Sequence, residues 1–204
     1  MNAFGQVDRS AIGDDPALMS CRAALRAATQ APHERLHHHA GFARVKDGTI
    51  SLPEYRALLI RLYGFYRPFD RAVGNDTART RWLARDLAWL GVTAAALAQV
   101  RLCTDIPPCD TTARKLGALY VVEGSALGGR QLYRGLDRLF GQDGVDGRRF
   151  FAGRGTGTGA AWTGYLHRLA AVGADRVGRA AAIDAAIETF AVFEHWLGGW
   201  SETR

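Results

Sequence analysis

The segment of residues 116–136 constrains the fold of this chain most, because a helical pattern and several glycines coincide in it. Its apolar residues recur at intervals of three and four, which predicts a long amphipathic helix. Gly124, Gly128 and Gly129 interrupt the pattern. Each costs up to about 1 kcal/mol relative to alanine, and two in a row invite a bend. The apolar stripe consists of Leu116, Leu119, Tyr120, Val122, Ala126, Leu127, Leu132, Tyr133 and Leu136.

Gly124 and Gly128 predict a bare backbone surface on one side of this helix. They are four residues apart, so they lie on the same face. Because glycine has no Cβ, another backbone or a flat ligand can approach that face closely. Both interpretations, tight packing of a neighbouring helix and contact with a flat ligand, remain open from these residues alone.

The rest of the chain predicts an all-α fold, because no stretch alternates apolar and polar residues with the period of a strand. Ser51, Pro53 and Glu54 have the pattern of a capping box, and a strong apolar stripe from Tyr55 to Phe69 follows them. Thr111 or Thr112 is the predicted cap of the glycine-rich helix. Further helices are predicted over residues 17–39, 80–90, 93–99, 160–172 and 179–200, the last burying Ile183, Ile187, Phe190, Phe193 and Leu197.

Three segments are predicted to lack long helices. Residues 1–16 are expected to form a flexible lead, and residues 41–51 a connection. The glycine-rich stretch of residues 141–159 is expected to be a loop with at most one short helical turn, around residues 149–151. A chain of 204 residues suits one domain, which we expect to cover residues 17–204.

The predicted N-terminal helix contains a candidate binding face. Pro32 removes one helical hydrogen bond and is expected to kink the helix, and His33 follows it directly. Thr29 and Arg26 precede His33 by four and seven residues, so the three side chains share roughly one face. A ring nitrogen, a hydroxyl and a guanidinium are therefore expected to point together.

Charge and cysteine content limit the classes of function. The chain has 26 basic and 20 acidic residues, a net charge of 26 − 20 = +6, which suits an anionic ligand or an acidic partner protein. No aromatic-interleaved basic cluster predicts nucleic-acid binding, and no run of eighteen apolar residues predicts a membrane span. Three cysteines without a C-x-x-C pair favour a reducing compartment, so we expect a cytoplasmic protein.

One chemical interpretation of the histidines is a zinc metallopeptidase. Residues 33–37 read HERLH, which matches the H-E-x-x-H pattern of two zinc-binding imidazoles with a glutamate base. Pro32 disturbs the regular turn that this pattern needs. Ala40 and Ala43 stand where the longer form of the motif has glycine and histidine, and no third ligand is evident. The context therefore argues against zinc.

The other interpretation is haem iron, and it comes from a resemblance. The order and spacing of five segments resemble those of bacterial biliverdin-producing haem oxygenases, particularly the kind associated with bacteriophytochromes. The resemblance spans residues 18–198. The segments are LRAATQAPHERL at 25–36, LYVVEGSALGG at 119–129, Phe150 with Phe151, Trp162 with Tyr165 and Leu169, and FAVFEHW at 190–196.

The resemblance implies a single-domain helical bundle in which haem lies between a proximal and a kinked distal helix. His33 matches the axial iron ligand, which makes the protein metal-binding through haem. Gly124, Gly128 and Gly129 match the distal contact. Ser125 stands where animal relatives have an aspartate that anchors proton-delivering waters, so Ser125 and nearby backbone carbonyls are expected to hold such waters.

The resemblance also implies cations for the two haem propionates. Arg26 matches a basic position seven residues before the axial histidine. His167 or Arg168 lies where the family often places a basic residue at the haem edge. Thr29, on the same face as His33 and Arg26, completes the expected set of haem-binding residues.

The implied activity is haem catabolism. Haem is both the substrate and the oxygen-activating cofactor, and O₂ with electrons from an external donor converts it to biliverdin, CO and ferrous iron. The basic surface suits an acidic ferredoxin-like donor, and the product supplies either iron or a phytochrome chromophore. One departure matters: His37 stands where many relatives have a carboxylate that supports the axial histidine. This departure keeps open the alternative of a haem carrier or sensor without turnover.

Overall fold

The computed structural model describes residues 16–74 and 78–200, except for the side chains of residues 16–20, 126 and 127. Within these residues the regular structure is entirely helical, which confirms the predicted all-α class. Most of the predicted flexible lead lies outside the described residues. The helices are α1 (Pro16–His37), α2 (Ala40–Lys46), α3 (Leu52–Val73), α4 (Ala78–Trp89), α5 (Ala94–Ala98), α6 (Thr112–Gly135), α7 (Asp137–Phe140), α8 (Arg149–Ala152), α9 (Thr158–Gly173) and α10 (Arg176–Leu197).

Short-range sequence signals are confirmed at the start of α3. Ser51 is the N-cap, and its hydroxyl accepts a hydrogen bond from the Glu54 N–H while the Glu54 carboxylate accepts one from the Ser51 N–H. These two bonds satisfy donors that the first turn of a helix leaves open. The predicted apolar stripe of α3 is buried along its whole length: Tyr55, Leu58, Leu59, Leu62, Tyr63, Tyr66 and Phe69.

The glycine-rich helix α6 is confirmed and runs without interruption from Thr112 to Gly135. The hydroxyl of Thr111 caps it by accepting from the Arg114 N–H at 3.2 Å. Tight helix packing, one of the two interpretations of its glycines, occurs at other positions. A Cβ on Gly117 would overlap the Ala182 carbonyl of α10, and a Cβ on Gly135 would overlap the Val45 carbonyl of α2.

Two predictions about connecting segments are wrong in part. Residues 41–51 include α2, because Gly41 and Val45 are buried and α2 packs on α3 and α6. An added Cβ on Gly41 would lie 3.1 Å from Leu58 Cδ1, which shows how closely α2 approaches α3. Residues 141–159 contain the predicted turn as α8, but also a 3-10 turn (Gly155–Gly157) and the first residues of α9.

The buried face of α10 also differs from the prediction. Ile187 is 42% exposed, and Ile183 is only half-buried. The helix instead buries small residues such as Ala182, Ala185 and Ala186, because α6 approaches it backbone to backbone at Gly117. Phe190, Phe193 and Leu197 are buried as predicted.

Among the described residues, no helix combines the length and the apolar character needed to cross a membrane.

Candidate functional site

The candidate site lies where α1 and α6 face each other across α9 and α10. Both α1 and α6 pack on α9 and on α10, whereas the backbones of α1 and α6 barely approach each other. The predicted proximal residue is on α1 and the predicted distal glycines are on α6.

His33 is half-buried on α1, one residue after Pro32. Its ring meets the edge of Phe190 from α10, with ring centroids 6.4 Å apart and planes at 83°. Burial is the largest of the causes that lower the pKa of His33, and a repulsive effect of His37 adds to it. His33 is therefore a neutral imidazole at pH 7, the form that coordinates a metal.

His37 lies one turn beyond His33, at the exposed end of α1. The two Nε2 atoms are 3.2 Å apart, and the ring centroids are 4.4 Å apart. His37 thus faces the Nε2 atom of His33, which is the nitrogen that would bind iron if His33 has its predicted role. A carboxylate that supports an axial histidine would be expected to bind the other ring nitrogen, so His37 does not substitute for it in this arrangement.

The two residues predicted to share the face of His33 have different surroundings. Arg26 is exposed. Thr29 is only 3% exposed, and its hydroxyl donates to the Leu25 carbonyl at 2.7 Å and is hydrogen-bonded to Tyr120 of α6. Since a hydroxyl has one donor hydrogen, Thr29 has only acceptor capacity left for a ligand.

The glycines of α6 divide into two kinds. A Cβ added to Gly124 or Gly128 would meet no atom within 4 Å, so both positions border open space. Gly129 is buried, and its added Cβ would lie 3.1 Å from the Phe151 carbonyl of α8. Contact with a flat ligand therefore remains open for Gly124 and Gly128, while Gly129 packs on the protein.

Ser125 is exposed beside these glycines. Its hydroxyl donates to the Val122 carbonyl at 3.0 Å, which is a bond within α6. A hydrogen bond also joins it to the buried Tyr66 of α3, whose pKa burial raises to about 12. Tyr66 was predicted only as a core residue, because nothing in its periodicity distinguishes it from the rest of the α3 stripe.

Buried charges fix α6 just before the first of these glycines. Arg79 of α4 forms ion pairs with Glu123 and, at 3.8 Å, with Asp70 of α3. Asp70 also accepts hydrogen bonds from the N–H and hydroxyl of Thr80, at 3.1 and 2.7 Å. Helices α3, α4 and α6 are thereby joined at the residue that precedes Gly124.

A second buried carboxylate holds α8 behind Gly129. Asp86 of α4 accepts hydrogen bonds from the N–H groups of Arg149 and Phe150, both at 2.8 Å. Burial raises the pKa of Asp86 to about 6, although the two hydrogen bonds act in the opposite direction and lower it. Asp86 thus positions the turn whose Phe151 carbonyl meets Gly129.

Trp162 is a residue of this site that the sequence did not single out as a ligand contact. It is 4% exposed on α9, stacks on Tyr165 and lies near Arg22 of α1 and Tyr120 of α6. Its indole N–H has no acceptor within the described part of the chain. A buried donor without a partner is costly, so an acceptor on a bound molecule, such as a carboxylate, fits this position.

His167 and Arg168 lie on the exposed side of α9, between the buried Leu166 and Leu169. The structure brings neither of them into a described contact with α1 or α6. Their predicted role at a ligand edge stays a prediction.

The zinc interpretation of residues 33–37 gains no support. A catalytic zinc site takes three protein ligands. Over residues 16–74 and 78–200, no group of three or more histidine, cysteine, aspartate or glutamate side chains is placed to hold a metal ion. The observed features, a half-buried imidazole on α1 and open glycine positions on α6, are compatible with a flat ligand that carries a central metal.

Comparisons with known proteins identify a family and a similar fold. The family model described as Heme oxygenase matches residues 19–198. The fold is similar to that of heme oxygenase-1 from the cyanobacterium Synechocystis sp. PCC6803, solved in complex with heme, with a TM-score of 0.67, 16% sequence identity and coverage of 87% of this chain and 90% of that chain. At this identity the likeness concerns the fold. No curated protein sequence matches the chain.

Proposed function

Because this chain belongs to the haem oxygenase family, we propose that it cleaves haem with O₂ and electrons to biliverdin, CO and ferrous iron. The observations that carry the proposal are the half-buried imidazole of His33 on α1 and the open positions Gly124 and Gly128 on α6, which we propose to lie on opposite faces of the haem. Haem supplies the iron that activates O₂. The residues of the chain bind it, orient it and handle protons.

On the proximal side, His33 is proposed to be the axial ligand. Its burial keeps the imidazole neutral, and the Phe190 ring edge restrains its orientation. A single imidazole leaves the opposite face of the iron open to O₂. Pro32, just before it, belongs to the same turn of α1.

On the distal side, Gly124 and Gly128 are proposed to let the α6 backbone lie against the macrocycle. Ser125 is proposed to hold proton-delivering waters. Its hydroxyl is oriented by the bonds to the Val122 carbonyl and to Tyr66, and a lone pair remains to accept from a water. Gly129 acts indirectly, by packing on α8.

At the haem edge, Arg26 is proposed to pair with a propionate, with His167 or Arg168 as a further cation. The indole N–H of Trp162 is proposed as a further donor to a propionate. The hydroxyl of Thr29 already donates to the Leu25 carbonyl, so Thr29 is proposed to line the haem site without donating to a propionate. The choice among these contacts sets the rotation of haem and hence the carbon that is cleaved.

An electron donor must bind from outside. The net charge of +6 favours an acidic, ferredoxin-like protein. The products are proposed to serve either iron supply or the supply of a phytochrome chromophore.

A second candidate function, a haem carrier or sensor without turnover, rests on His37. The family carboxylate is replaced by a histidine that faces the wrong nitrogen of His33. A less electron-rich axial ligand disfavours oxygen activation.

Haemin titration followed by turnover tests the proposal. The full chain should bind haemin, and ascorbate or reduced ferredoxin in air should bleach the Soret band while biliverdin, identified by chromatography, accumulates. His33→Ala should lose the histidine-ligated spectrum, whereas the matched variant His38→Ala, at an exposed position of the same histidine run, should keep it. A stable oxy complex without biliverdin would favour the carrier, and failure to bind haemin would refute both.

A further inference from the structure

The histidine pair at the end of α1 has the geometry of a chelate. His33 and His37 are one helical turn apart, and their Nε2 atoms are separated by 3.2 Å. Two imidazole nitrogens that bind one divalent ion at about 2.0–2.1 Å are themselves about 3.3–3.4 Å apart in tetrahedral geometry and about 2.8–3.0 Å apart at a right angle, so the observed separation lies between the two. The two rings therefore already have the separation that a shared metal ion requires.

The surroundings suit an exchangeable ion. His37 is exposed, so solvent reaches the pair directly. In the described part of the chain no third histidine, cysteine or carboxylate completes a three-ligand group. With two protein ligands among the described residues, we expect moderate affinity and easy release of the ion.

We propose that His33 and His37 together chelate a divalent first-row transition metal ion when haem is not bound, and that during turnover this chelate receives the ferrous iron that leaves the cleaved macrocycle. The second half rests on the proposed function, and the first half does not. The iron stays ferrous throughout this transfer. The His33 bond is kept, and the His37 nitrogen replaces one of the ring nitrogens that are lost.

The chelate and haem must exclude each other. Both need the Nε2 atom of His33, which has a single lone pair for a metal. A divalent ion on the pair should therefore compete with haemin, and the competition should disappear when His37 is replaced.

Zinc titration calorimetry on the haem-free, untagged full chain tests the chelate. His37→Gln retains hydrogen bonding to His33 but replaces an imidazole by an amide, a poor zinc ligand. Zinc affinity should fall by about tenfold or more, since even indirect partners of metal sites are worth that much. His38→Ala, the exposed neighbour, should leave zinc affinity unchanged. Equal zinc binding by wild type and His37→Gln would overturn the proposal, because the pair would then be only a hydrogen bond.

Two further measurements use haem. Zinc should raise the apparent Kd of wild type for haemin but should leave the Kd of His37→Gln unchanged. An equal rise in both proteins would contradict a shared site. After a single turnover, a ferrous-specific chelator should capture iron faster from His37→Gln than from wild type. Equal rates with equal biliverdin would overturn the iron-receiving role. Absence of biliverdin would instead refute the proposed function, while the calorimetry would still decide the chelate.

Discussion

The substitution of alanine for glycine along α6 should separate functional glycines from structural ones. At Gly124 the added methyl meets open space, while at Gly117 it overlaps the Ala182 carbonyl. Both residues belong to one helix, and the same atom is added in each case. The two variants therefore differ only in what lies opposite the new Cβ.

The expected magnitudes follow from these surroundings. Alanine is favoured over glycine inside a helix by about 0.5–1 kcal/mol, so Gly124→Ala should stabilise the haem-free chain and raise Tm by about 1–4 °C. Gly117→Ala must push α6 from α10 and should destabilise by about 1–3 kcal/mol or more. In the haem complex, the Gly124 methyl would occupy the face proposed for the macrocycle. Overpacking of about 1–3 kcal/mol corresponds to a roughly five- to hundredfold weaker haemin affinity.

Thermal unfolding of the haem-free variants and haemin titration with biliverdin quantification measure both effects. A Gly124→Ala variant that is more stable and yet binds or cleaves haem poorly would support the distal assignment. A destabilised Gly124→Ala variant would show that its Cβ is not in open space. An unchanged haemin affinity and turnover would refute the placement of haem against this face.

Two further predictions concern the buried carboxylates that position α6 and α8. Burial raises the pKa of Asp86 to about 6, above its ordinary value of 3.8, so the native state holds this proton more tightly than the unfolded chain does. As the pH falls from about 6 to about 4, the free energy of unfolding of wild type should therefore rise relative to that of Asp86→Asn, by on the order of 3 kcal/mol. Urea titrations in which this difference falls instead would contradict the predicted sign. Arg79→Met leaves the carboxylates of Asp70 and Glu123 buried without that guanidinium, so it should lower the free energy of unfolding by about 3 kcal/mol or more. The control Arg85→Met removes an exposed ion pair of the same helix and should lower it by less than about 1 kcal/mol in the same urea assay. Equal losses in the two arginine variants would show that the Arg79 network is screened by solvent.

Features that depend on neighbouring residues could be predicted from the sequence. The capping box of Ser51 and Glu54 and the cap at Thr111 are confirmed, because their partners are three residues away. The stripe of α3 is confirmed for the same reason: helical periodicity alone places those side chains on one face.

Features that depend on distant backbone could not be predicted. The sequence does not distinguish Gly117, which packs on α10, from Gly124, which borders open space. The helix α2 was predicted as a connection because its short sequence carries little periodicity, and its burial depends on Gly135, far along the chain. Ile187 was predicted as buried from spacing, but the close approach of α6 turns the alanine face of α10 inward.

The candidate site follows the same division. His33 and the glycines of α6 were found from local motifs and the family resemblance, and their roles remain proposals. The sequence does not reveal Tyr66 beside Ser125 as a site feature, nor the indole N–H of Trp162, which has no acceptor among the residues that the structure describes. Each depends on which helices meet, and no spacing along the chain contains that information.

The positions of the buried contacts explain how α6 tolerates its glycines. Each glycine weakens the helix by up to about 1 kcal/mol, so the segment of residues 124–129 is its weakest part. The Arg79–Glu123 ion pair holds α6 immediately before this segment, and the contact of Gly129 with the Phe151 carbonyl holds it at the end. The segment is therefore fixed at both ends while Gly124 and Gly128 face open space. Such an arrangement allows a bare backbone surface to keep its position without side chains of its own, which is what close contact with a flat ligand requires.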